Sequence, residues 1–428
     1  TAMRLEMASF RVTRAAFGKT TALRNGVLTV DRTAVAALAL GDSNLTGVAV
    51  ELAVPGESTR IIHVIDAIEP RYKPAGSTFP WFISPPDLVG SGVTHRLEGV
   101  AVIATGDIPG AADSQGLKEA IIDMSGPGAP YSPFSKMCNV VLQFSFAPGV
   151  HKPDATASCR KATMRVAKYL AEATRELKPD GVIDYELGKA DASLPRVVYI
   201  MPTMSEGELH TTFLYGMSVT STPALVHPNE VLDSALISAD YWIACHRSPT
   251  HHYQNEPVIR ALYRRHGKDI NFVGVILGRS LIPSAIEKHR QAVQIAKVAK
   301  MLDAQGAVIT MSNGGHAYAD QMLICQHVEQ AGIATVLGVD EYSDTDGSDF
   351  PLVTYVPQAT AIVSVGNQEQ IIQMPAVSRV LGGERFLAGN DYEVGFQKRP
   401  DEAFPVGLRQ LYASTCQLGY TTHRGRAY

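Results

Sequence analysis

The sequence predicts an α/β protein, with a β-rich N-terminal domain followed by two parallel-sheet, Rossmann-like α/β lobes. Three observations carry this. Residues 1–155 hold short apolar runs separated by turns. Beyond them, strand-like apolar runs alternate with amphipathic helical stretches, which is the order of parallel α/β units. A chain of 428 residues is also too long for one small core. The expected division is 1–155 for the β-rich domain, 156–268 for the first lobe, and 269–428 for the second lobe with an irregular C-terminal packing segment.

The elements follow in order. Arg4-Leu5-Glu6-Met7 opens a strand, and Gly26-Val27-Leu28-Thr29-Val30 alternates as a strand should. Val48–Leu52 leads through the turn Pro55-Gly56-Glu57-Ser58 into Arg60–Val64. The Pro, Gly and aromatic content of 70–86 predicts a long ordered loop, and Gly99–Ala104 the next strand. The first helix is expected over 158–176, with Ala162, Val166, Tyr169 and Leu170 on one side. Strands are expected at Arg196–Ile200, Ile270–Ile276, Ala307–Met311, Thr335–Val339 and Ala361–Val365. Helices are expected across Ile286–Met301 and Ala319–Ala331.

Composition narrows the function. A net charge of -4, with no basic stripe, argues against nucleic acid as a partner. No apolar run reaches membrane-spanning length, so a membrane is not expected as a partner either. Cys138, Cys159, Cys245, Cys325 and Cys416 stand singly, giving neither a disulfide framework nor CxxC metal spacing, and a reducing cytoplasm is the simplest setting. Thr1 and Ala2 read as residues placed before a natural start at Met3.

Ligands of parallel α/β sheets collect beyond the carboxyl ends of strands. That rule selects Ser205-Glu206-Gly207-Glu208-Leu209-His210, Ser312-Asn313-Gly314-Gly315-His316 and Asp340-Glu341-Tyr342. Histidine and carboxylate are acid-base or metal-ligating groups near neutral pH, so Glu208, His210, His316 and Glu341 are the candidate catalytic and metal-binding residues. HExxH is absent, so a metal would be held by residues distant in sequence, and a divalent ion such as Zn suits such a set. Cys245 beside His246 is a candidate nucleophile with a base next to it, against which stands a buried structural cysteine. Arg71 and Arg247 are candidate carboxylate anchors, and His251 and His252 could serve a substrate or an interface. Gly126-Pro127-Gly128 and Gly314-Gly315-His316 match neither a P-loop nor GxGxxG.

Several separated segments resemble one family. They include Arg4-Leu5-Glu6, Val54-Pro55-Gly56-Glu57-Ser58-Thr59-Arg60-Ile61-Ile62, Ile121-Ile122-Asp123-Met124-Ser125-Gly126-Pro127-Gly128 and Tyr131-Ser132-Pro133-Phe134. Tyr253-Gln254-Asn255-Glu256-Pro257, His266-Gly267-Lys268-Asp269-Ile270-Asn271-Phe272 and Asp340-Glu341-Tyr342 continue the likeness in order. The chain resembles the alpha/beta proprotein of component B of glycine, sarcosine and betaine reductases. The resemblance implies a cytoplasmic subunit, in a homo- or hetero-oligomer, that works with a second component B-like polypeptide to cleave a C–N bond reductively. It also implies an Asn-Cys bond that is cut to leave a pyruvoyl group. This chain has Asp240-Tyr241 there, so no pyruvoyl group is expected, and Cys245 matches a later cysteine of that segment. Three readings result. One is an uncut enzyme cleaving a C–N bond of a small nitrogenous substrate by metal-assisted hydrolysis. Another is a partner-dependent reductase component, and a noncatalytic scaffold is a third.

Overall fold

The computed structural model describes residues 3–109, 119–189, 191–207, 210–241, 243–312, 314–387 and 398–420. The N-terminal strand Arg4–Arg11 lies between Gly92–Glu98, parallel to it, and Gly181–Glu186, antiparallel. A second sheet orders Leu45–Ala53, Cys138–Phe146, Val100–Thr105 and Val64–Ile68. The helix Lys152–Ala171 buries Cys159, Ala162, Val166 and Leu170 against these strands. It starts earlier than the apolar spacing predicts because Pro153 stands in its first turn, where the missing N–H costs nothing, and Asp154 complements the positive end of the helix dipole.

Beyond it the chain builds one six-stranded sheet. Its order is Ala224–Val226, Asn271–Ser280, Arg196–Met204, Gly306–Ile309, Ala334–Glu341 and Ile362–Asn367, and only the first runs antiparallel to its neighbour. This differs from the expectation of two Rossmann-like lobes, because Arg196–Met204 and Asn271–Ser280 pair directly with each other. Periodicity finds strands but not their partners, so one sheet interrupted by an excursion reads as two. Both faces are covered: Val198, Ile200 and Ile276 pack on the helix side, while Tyr199, Met201, Val275 and Leu277 pack on the other. That double burial is why these strands read as near-continuous apolar runs.

Helices Ala285–Met301 and Ala317–Gln330 share the first face. The connection from Arg196–Met204 to Asn271–Ser280 moves one way across the sheet, and the later connections move the other way. The reversal puts a topological switch point between the carboxyl ends of Arg196–Met204 and Gly306–Ile309, where α/β sheets gather ligands. The opposite face is one core with the N-terminal region, since Leu5, Met7, Ile61 and Val64 pack in the same cluster as Tyr199, Phe272 and Leu277. Although the N-terminal region also has a cluster of its own, with Phe10, Val30, Val102, Leu142 and Leu170, the shared cluster ties it to the sheet. Arg379–Leu381 adds to this by pairing with Thr59–Ile61.

Candidate active site

Asp340 and Glu341 end the same strand, and a strand sends neighbouring side chains to opposite faces. Val339, Asp340 and Glu341 all line an apolar cavity of about 640 Å³ that also includes Phe350, Leu352 and Ile362. Glu341 Oε2 accepts a hydrogen bond from Ser343 Oγ at 2.9 Å. The Asp340 carboxylate itself is held in a buried polar centre. Gln417 Nε2 donates to its Oδ1 at 2.8 Å, and the Tyr318 hydroxyl donates to the same oxygen. Oδ2 lies 2.6 Å from His246 Nε2.

This contact fixes the chemistry of the imidazole. A carboxylate accepts, so Nε2 carries a proton and Nδ1 is the nitrogen that gains or loses one. Nδ1 is buried and has no hydrogen-bond partner. Burial works against a charged ring, yet the Cys245 sulfur and the Asp340 carboxylate outweigh it and hold the His246 pKa well above its ordinary value. The ring packs against Gly314, where a Cβ would run into His246 Cε1 and the Tyr342 hydroxyl. Tyr342 in turn accepts from Gly315 N at 2.9 Å.

Cys245 is fully buried in the 3₁₀ turn Ala244–His246, and its thiol reaches Gln368 Oε1 only at 3.9 Å. Returning chain clamps the turn: Ala413 N donates to Ala244 O at 2.8 Å and Thr415 N to Cys245 O at 3.1 Å. All five cysteines are buried and unbridged.

The other predicted residues are distributed differently. Glu208 lies outside the described residues. His210 begins the strand His210–Leu214, with Asp240 as its backbone partner, but its side chain is likewise outside the description. His316 is exposed at the start of a helix, and burial together with the Lys288 ammonium, 3.4 Å from Nδ1, lowers its pKa. An adjacent cation is an unfavourable neighbour for a metal ligand. Among the described residues, no group of three or more His, Cys, Asp or Glu side chains is placed to hold a metal ion.

Arg71 and Arg247 are not open carboxylate anchors. Arg71 is paired with Glu69 at 2.7 Å, and Arg247 is buried, donating to Val64 O at 2.7 Å and lying 4.5 Å over the Tyr241 ring. His252 is stacked on Tyr420 at 3.9 Å, and burial lowers the pKa of both His252 and His251, the latter to about 4. Asp240 ends the strand Leu236–Asp240, and the adjoining Tyr241 is buried with its hydroxyl lacking a hydrogen-bond partner.

The sequence placed the 340–342 segment near a cleft and marked Cys245 beside His246 separately, but it favoured Glu341 over Asp340. The alternation along this strand is one of burial, with Thr335, Leu337 and Val339 buried and Val336 and Gly338 half-buried, and it is set by the fold rather than by the residue types. Fold and centre together define an α/β protein with a buried His246-Asp340 pair, next to Cys245, at the carboxyl end of a parallel strand.

The chain belongs to the family of glycine/sarcosine/betaine reductase component B subunits, whose model matches residues 3–426. It is 35% identical over 437 residues, all of both chains, to the glycine reductase complex component B subunits alpha and beta of Acetoanaerobium sticklandii. It is 35% identical over 438 residues, again end to end, to the sarcosine reductase complex component B subunit alpha of Peptoclostridium acidaminophilum. The betaine reductase complex component B subunit alpha of the latter organism is 33% identical over 408 residues, 92% of this chain and 91% of that one. No solved structure matches the chain. Among the described residues no helix is long and apolar enough to cross a membrane.

Proposed function

We propose that this chain is a partner-dependent, component B-like reductase subunit that breaks the C–N bond of a small amine bearing a carboxylate. The observation that carries this reading is the end-to-end match to component B subunits whose names specify glycine, sarcosine and betaine reductases. A thiol or selenol of a partner subunit attacks the carbon, and the C–N electron pair leaves with the nitrogen. His246 Nδ1–H is the proton source for that nitrogen, and Asp340 holds the ring by its other nitrogen. A centre this closed to solvent strengthens the interaction with developing charge.

The reaction proceeds without a pyruvoyl group made at Tyr241, because a tyrosine has no hydroxyl or thiol on Cβ to attack the preceding carbonyl. Metal-assisted hydrolysis is the weaker reading: His316 sits beside a lysine, and among the described residues no three His, Cys, Asp or Glu side chains are placed to hold a metal ion. The test is amine release from glycine, sarcosine and betaine by the intact chain, with and without a component B-type partner plus dithiol, before and after chelation. Release that requires the partner and survives chelation is expected. Release by the chain alone, abolished by chelation and restored by Zn, would overturn the proposal in favour of hydrolysis.

A further inference from the structure

A second cavity, of about 480 Å³, lies where Arg196–Met204 and Asn271–Ser280 approach the hairpin formed by His210–Leu214 and Met217–Ser218. Its wall carries the hydroxyls of Ser205, Thr211, Ser218, Thr220 and Ser221 and a single cation, Arg279. No carboxylate is among these lining residues. Arg279 Nε is buried without a hydrogen-bond partner, and no ion pair of Arg279 occurs among the described residues. Thr203, the register partner of Arg279 on the neighbouring strand, also has a buried hydroxyl without a partner.

An arginine is seldom left this way, since a half-buried guanidinium gives up hydration and ordinarily recovers it in hydrogen bonds. Its root is held firmly. Arg279 N donates to Gln291 Oε1 at 2.8 Å, and Gln291 Nε2 donates back to Arg279 O at 2.7 Å. An unpaired guanidinium beside the hydroxyls of Ser205, Ser218 and Ser221, with no acid among the described lining residues, is complementary to an oxyanion, and its planar fork suits a carboxylate best; the Thr211 and Thr220 hydroxyls already donate to Gly207 O and Thr222 O.

We infer that the cavity around Arg279 binds the carboxylate of the substrate. The identity of that carboxylate rests on the proposed function; the anion preference of the cavity does not. Arg279 is thereby a binding residue for that carboxylate. Arg71 and Arg247 are unsuited to this role because their guanidinium groups are committed inside the fold.

The experiment is calorimetric titration of the full chain with sarcosine, acetate and dimethylamine, which is sarcosine without its carboxylate. Sarcosine and acetate are expected to bind, and dimethylamine to bind far more weakly. Arg279→Gln should weaken sarcosine at least about tenfold, the scale of one lost charged hydrogen bond, with partial recovery in Arg279→Lys. Ser221→Ala and Ser218→Ala, on the wall of the same cavity, should each weaken it a few-fold, and they carry the test if Arg279→Gln fails to fold. Unchanged sarcosine affinity in these folded variants, or equal affinity for dimethylamine, would overturn the inference even if C–N cleavage is found. Arg279-dependent carboxylate binding without C–N cleavage under any partner would instead remove the proposed reaction and leave this site standing.

Discussion

At the residue scale the account turns on Asp340, whose carboxylate touches His246, Tyr318 and Gln417 at once. Asp340→Asn keeps the shape but removes the charge that helps raise the His246 pKa. The imidazole should then titrate at lower pH, which an NMR titration of the His246 ring would read directly; an unmoved titration would show that Asp340 does not tune it. The sign for stability follows. A histidine raised on folding contributes fully below its unfolded pKa, near 6.5, and loses that contribution as pH rises through its higher folded value. Gly314→Ala is expected to displace the His246 ring or Tyr342, lowering activity much more than expression, because the added methyl meets both. Much of this centre was legible as residue types after strands. Its pairings were not, because which neighbour of Asp340-Glu341 turns inward depends on the strand's register against the sheet.

At the element scale, the helix Pro257–Arg265 begins at Glu256, whose side chain accepts from Ile259 N at 2.5 Å and from the Tyr199 hydroxyl at 3.1 Å. Burial raises the Glu256 pKa from its ordinary 4.5 to about 8, despite those hydrogen bonds. Its folded form therefore holds a proton that the unfolded chain has lost, and stability declines as pH climbs from 4.5 to about 8. Glu256→Gln mimics the protonated acid, so its stability curve should be flatter across that window, by up to about 1.4 kcal/mol per pH unit. Melting or urea midpoints between pH 6.5 and 8 check this, since His63 and His251, lowered to about 4 by burial, have their own effect below pH 6.5. A variant with the wild-type slope would contradict it. The pairing of Thr59–Ile61 with Ile122–Asp123 is fastened by a buried bidentate pair, Arg60 Nε to Asp123 Oδ1 at 2.7 Å and Nη2 to Oδ2 at 2.8 Å. Asp123→Leu leaves the guanidinium uncompensated and should cost about 3–5 kcal/mol in chemical denaturation. A loss below about 1 kcal/mol would mean the pair is not closed from water.

For the whole molecule, the sequence made individual helices and strands visible because their apolar periods are strong. It concealed how distant segments share sheets: Gly181–Glu186 joins Arg4–Arg11, and Arg379–Leu381 joins Thr59–Ile61. Such pairings are set by packing across long stretches of chain, which local period does not encode. One core joins the N-terminal strands to the six-stranded sheet, so a single cooperative unfolding transition is expected by calorimetry. Well-separated transitions would restore independent domains. The same shared core positions the His246 centre, which draws on the Ala244–His246 turn, the end of Ala334–Glu341 and the returning segment at Thr415 and Gln417. The most direct measurement of its role is the single-turnover rate of amine release by His246→Gln in the complex with the partner subunit. The account predicts a fall of about 10²–10⁴-fold with sarcosine binding retained, the range for loss of a positioned proton donor. A wild-type rate in the folded variant would contradict it.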